Sequence, residues 1–168
     1  MLEGIRVIEL EGIGPGPFAG MTLADLGADV VKVHRPSPTQ EDKKETLSLL
    51  DRGKRSVILN LKDQKDKHTL KGLIKGADVL IEGHRPGVME RLGFDEKTVF
   101  ELNPNIIFGR ITGWGQGGPN ATQAAHDLNY ISKTGSLWFG SDEGDSPFTP
   151  PTMVGDIGGG ALYLVIGI

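Results

Sequence analysis

The chain has no cysteine, which excludes a disulfide framework, a thiolate nucleophile and a sulfur-ligated metal site. It has no apolar run of the roughly 18 residues that a spanning helix needs, so no membrane segment is expected. Its opening, MLEGIRVIEL, lacks the basic flank, uninterrupted apolar stretch and small-residue cleavage site of a secretory leader, and a cytosolic or organellar compartment is the resulting expectation. Excess charge is also lacking. The net charge of −4 gives no reason to expect nucleic acid or a membrane surface as a partner. The histidines at 34, 68, 84 and 126 show no metal-ligand spacing, no Gly-x-Ser-x-Gly elbow of a hydrolase is present, and no repeat of solenoid length occurs.

What remains is an ordinary globular composition, 38% hydrophobic and 24% charged over 168 residues, enough for one full core. The last stretch, GGGALYLVIGI, has neither a polar face nor a closing turn, so residues 1–168 are expected to be one incomplete domain of a longer polypeptide. Glycine is abundant at 25 residues, clustered with proline at 12–17, 113–119 and 155–160, which marks turns where sites usually lie.

Apolar, β-branched runs predict buried parallel strands over 5–10, 28–33, 56–59, 78–82 and 105–111. Helical spacing predicts helices beginning near Phe18, over 65–75, and over a short stretch between Arg85 and Gly93 that opens at Pro86. Strands alternating with helices predict an α/β fold, an open, mostly parallel, Rossmann-like sheet flanked by helices. The turn Gly12 to Pro17 does not suit a dinucleotide. Pro17 stands where the third glycine belongs, the prolines remove amides, and no acidic residue closes the second strand. Arg35 follows that strand, where open sheets bind ligands. Arg52, Lys54, Arg55 and Lys62 surround the third strand and either grip phosphate groups or form a solvated charged hairpin. Arg85 and Arg91 flank the short helix as further anion contacts or as plain surface charges.

The stretch from Thr112 to Gly160 holds His126 and, thirty positions later, Asp156. A histidine titrates near working pH and suits proton transfer on one face of a carbon. A carboxylate shielded from water suits the other. The ordinary alternatives stay open: a hydrogen-bonded histidine, and an aspartate that caps the glycine-rich helix start of VGDIGGG, whose free amides would stabilise an oxyanion.

The runs GIGPGPFAGMTLADLGADVVKVHRP, GKRSVILNLK, RPGVMERLG, TGWGQGGP, AHDLNY and VGDIGGG together resemble the class III coenzyme A-transferase superfamily, and within it the branch of racemases acting on 2-methylacyl-CoA thioesters. The resemblance implies His126 and Asp156 as the two catalytic bases. It implies CoA contacts at Arg35, at Leu59, Asn60, Leu61 and Lys62, at Arg85 and Arg91, and at Ala125, His126, Asp127, Leu128, Asn129 and Tyr130. Coenzyme A enters as part of the substrate with no separate cofactor, and the full-length proteins are interlocked homodimers. The residues beyond Ile168 would supply a small second domain and a carboxylate that orients the histidine. Ala125, Asn60 and His34 depart from the usual glycine, aspartate and aspartate of the family. The resemblance leaves two alternatives: a CoA-transferase with Asp156 as the acyl-accepting nucleophile, although transferases of the superfamily generally lack the histidine of the HDxNY motif, and a CoA-binding fragment without turnover.

Overall fold

In the computed structural model, which describes residues 1–36, 48–148 and 152–168, the five apolar runs form strands β1 (Arg6–Leu10), β2 (Asp29–His34), β3 (Lys54–Ile58), β4 (Val79–Glu82) and β5 (Ile107–Arg110). They pair in the order β3-β2-β1-β4-β5, and every pairing is parallel. Neighbours match Val7 with Val30 and with Val79, and Leu80 with Phe108.

Strand residues point alternately to the two faces, and both faces are covered. On one, Ile8, Val31, Val33 and Leu80 pack against Leu70 and Ile74 of α2 (Gln64–Lys75), Met89 of α3 (Val88–Leu92) and Val99 of α4 (Glu96–Leu102). On the other, Val7, Val30, Val79 and Ile81 meet Leu23 of α1 (Pro15–Asp25) and Leu164 and Val165 of α6 (Leu162–Gly167). Each fully buried aliphatic side chain contributes about 1.5–3 kcal/mol. Leu80, fully buried at the sheet centre, is therefore a position where truncation to alanine costs about 2–5 kcal/mol.

Several boundaries differ from the sequence reading. Helix α1 begins at Pro15, not near Phe18: Pro15 and Pro17 sit in its first turn, where a missing N–H leaves no bond unmade, and Gly14 precedes it at φ 67°. Strand β3 begins at Lys54 because the lysine's ammonium, buried beneath α1, pairs with the buried Glu9 carboxylate and also donates to the Pro17 carbonyl. Burial pushes the Glu9 carboxyl up and the Lys54 ammonium down from their ordinary values, so each depends on the other. Gly20 makes room for this pair, since a Cβ there would run into the Glu9 carboxylate. Pro86, expected to open the short helix, precedes it, and Gly87 at φ 89° makes the turn. The polar, lysine-bearing stretch 36–50, which the sequence reads as a loop or short helix, lies mostly outside the described residues.

Candidate active site

The loops leaving the carboxyl ends of β1, β4 and β5 surround a cleft of about 660 Å³. Ile13 and Pro15 come from the first, Gly83 to Pro86 from the second, and Ile111 to Trp114 from the third. Strands β1 and β4 are adjacent, yet the chain runs from β1 through β2 to β3 on one side and from β4 to β5 on the other. The cleft thus lies at the topological switch point, where open α/β sheets hold ligands.

Its far wall is α5 (Asp127–Lys133) and a segment of wide, i→i+5 turns over Met153–Ala161. His126 is the extended residue ahead of α5, its backbone N–H donating to Asn129 Oδ1 at 2.9 Å, and its exposed imidazole lines the cleft. Asp156 lines the same cleft but is buried, 5% exposed. Its wide segment starts from Thr152, held at φ 71°, and the Ile157 N–H reaches the Thr152 carbonyl at 3.0 Å.

That geometry corrects the expectation of a cap. Asp156 lies inside the segment, past its start, so its carboxylate does not cap it. The Gly155 and Asp156 amides are not free for an oxyanion either, because both donate to Asp127 Oδ2, at 2.6 and 2.9 Å. Burial pushes the Asp156 carboxyl above the usual carboxylate range, the charge of Asp127 adds to this, and His126 opposes it. Gly14 lies against the same carboxyl: a Cβ there would stand 3.6 Å from Asp156 Oδ2.

Tyr130 fixes the wall's spacing. Its ring lies between two glycines, where a Cβ at Gly155 would come within 2.5 Å of it and one at Gly113 within 2.9 Å. Trp114 meets Tyr130 edge-on, centroids 6.1 Å apart, and also lines the cleft.

Of the residues singled out in the sequence, Arg85, Ala125, His126, Tyr130 and Asp156 line the cleft. The others are elsewhere. Leu59 is buried in the core and Leu61 packs against it, so apolar packing occupies both side chains. Asn60 builds the turn into α2, its N–H donating to Asp66 and its carboxamide oxygen accepting from the Lys62 amide. Arg35 is exposed beside Glu11, and Lys62 is exposed after β3. Arg91 is exposed, its guanidinium close to Gly87. Leu128 faces out, Asn129 holds the His126 amide, and Asp127 turns inward to the 155–156 backbone.

The proposed phosphate grip around β3 is corrected for three of its cations. Arg52 pairs with Asp25, Arg55 with Asp29, and Lys54 with Glu9. Lys54 and Arg55 also stand at the amino end of β3, away from the ligand-binding edge. One network escaped the sequence reading altogether. The fully buried Glu82 accepts from Arg110 at 2.8 Å and from the His84 amide at 2.7 Å, while Arg110 also reaches Glu90 at 3.1 Å. It pins the loop that carries His84 and Arg85, and Arg110 stands too far from Glu82 in sequence to leave a local signal.

The sequence profile described as CoA-transferase family III matches residues 2–168. The chain belongs to this family. It is 42% identical to alpha-methylacyl-CoA racemase of Mus musculus, a match covering 100% of this chain and 42% of that protein. It is 36% identical to acetyl-CoA:oxalate CoA-transferase of Acetobacter aceti, covering 99% of this chain and 45% of the relative. Among solved structures, Rv3272 from M. tuberculosis superposes with a TM-score of 0.84 at 31% identity, covering 99% of this chain and 47% of that one. The family III chain described here thus spans a little under half the length of these relatives.

Proposed function

We propose that the protein carrying this chain interconverts the two epimers of 2-methylacyl-CoA thioesters by 1,1-proton transfer, with His126 and Asp156 as the transfer groups. The observation that carries the reading is that both residues line one cleft at the switch point, one exposed imidazole and one buried carboxyl raised above its usual range. The similarity to racemases supports it. One group removes the α-proton, the electron pair moves onto the thioester oxygen as an enolate, and the conjugate acid of the other returns a proton to the opposite face. Each turnover leaves the pair with its proton exchanged between the two residues, ready for the other epimer. Arg85, exposed at the cleft mouth, is the CoA contact this reading favours. Arg35, Lys62 and Arg91 are assigned to the same ligand on the resemblance.

A second reading is favoured by the similarity to a CoA-transferase: Asp156 attacks the thioester carbonyl, expels CoA thiolate and forms a mixed anhydride. It leaves His126 in the cleft without a task. One epimer incubated with the full-length protein in deuterated water separates the two. The racemase reading expects α-deuterium in both epimers, and its absence overturns it. An acyl-Asp156 adduct trapped by hydroxylamine favours the transferase.

A further inference from the structure

Asp127 is a buried carboxylate that the proposed chemistry does not use. It follows His126 directly, but adjacent residues diverge, and its side chain is 3% exposed and directed at another segment. Oδ2 accepts from both the Gly155 and Asp156 amides, while Oδ1 is buried with no partner among the described residues. These amides lie ahead of the Ile157 to Thr152 bond of the wide segment, and their acceptor comes from another element. On the same side the Tyr130 ring presses on Gly155. One turn of α5 therefore presents His126 to the cleft and grips the backbone once at Gly155 and once at Asp156.

A cap needs no charge. Asparagine or serine would supply an acceptor without burying an anion or leaving an oxygen unpaired. The carboxylate has a further consequence: its charge adds to burial in favouring the protonated form of Asp156. His126 is the opposing charge when protonated. At the start of α1, Gly14 and Pro15 lie against the wide segment, which contains no titratable side chain besides Asp156; α5 adds Tyr130, and α6 carries only the exposed Tyr163.

We propose that Asp127 is a positioning residue for the reaction, its carboxylate locking the Gly155 and Asp156 backbone to the turn that carries His126 so that the two proton-transfer groups keep a fixed separation. The proposal rests on the assignment of His126 and Asp156 as the transfer pair. It is tested in the full-length protein by α-proton exchange across pH. Asp127→Asn keeps an acceptor oxygen and loses the charge, so turnover at the plateau stays within about tenfold of the parent. The acid limb of kcat/KM moves to lower pH, because Asp156 then ionises more readily and the singly protonated pair persists further into acid. Asp127→Ala loses the clamp as well, and kcat falls by about 10²-fold with KM little changed. Parental kcat in Asp127→Ala, or an unshifted acid limb in Asp127→Asn, overturns the proposal.

Amide hydrogen exchange in the unsubstituted protein gives a reading that does not depend on either variant folding. Slow exchange at Gly155 and Asp156 is expected, and exchange at the unstructured-chain rate overturns the clamp. Absence of α-proton exchange in the unsubstituted protein would remove the reaction and the positioning role together, while amide protection would still report whether the clamp exists.

Discussion

At Asp156 the surroundings work against ionisation, and this sets stability against activity. The folded state binds this proton more tightly than the unfolded chain does, so its contribution is most favourable in acid. That contribution falls as pH rises from the ordinary aspartate value through the raised one. Asp156→Asn is therefore expected to stabilise the fold at pH 7, seen as a higher urea midpoint, while reducing α-proton exchange at least about 10²-fold. A lower midpoint would mean that the carboxylate is held by contacts stronger than its desolvation. Gly155 is the neighbouring test. With a Cβ only 2.5 Å from the Tyr130 ring, Gly155→Ala should cost about 1–3 kcal/mol in equilibrium unfolding and slow exchange as well.

Elements are set in place by buried ion pairs that the sequence conceals. The Glu9 and Lys54 pair fastens β1 and β3 to the first turn of α1. Lys54→Met leaves a buried carboxylate alone and should cost about 3–5 kcal/mol by urea unfolding, with part recovered when Glu9 is also made apolar. Arg110→Met frees the Glu82 carboxylate and the loop after β4, so KM for the thioester should rise several-fold with kcat nearly unchanged. The strands were legible because apolar, β-branched runs such as Val79 to Ile81 have one reading when both sheet faces are covered. The start of α1 was misread, since the sequence shows prolines as a turn while the fold uses them as a helix opening. The position of Asp156 was not legible: aspartate ahead of glycines is the pattern of a cap, and i→i+5 turns have no residue signature. Asp127 and Gly155, twenty-eight residues apart, met only through the fold.

At the scale of the molecule, Arg55 and Arg85 stand at opposite ends of the parallel sheet. Its amino edge holds self-paired cations, as in Arg6 and Arg55 on Asp29. Its carboxyl edge carries the cleft, with Arg85 in its wall. Arg55→Ala should leave CoA affinity unchanged by titration calorimetry on the full-length protein, whereas Arg85→Ala should weaken it about 10- to 100-fold, the worth of a charge-assisted contact. Equal effects would place the ligand elsewhere. The sheet order also sets a timetable for synthesis. Strand β1 lies between β2 and β4, and the Arg6 amide donates to Asp78, 72 residues later. On a ribosome adding about 5–20 residues per second, β1 waits roughly 4–15 s with one edge unpaired. During that interval the nascent chain holds an open apolar strand edge next to the future cleft, an edge that other chains can pair with until β4 covers it.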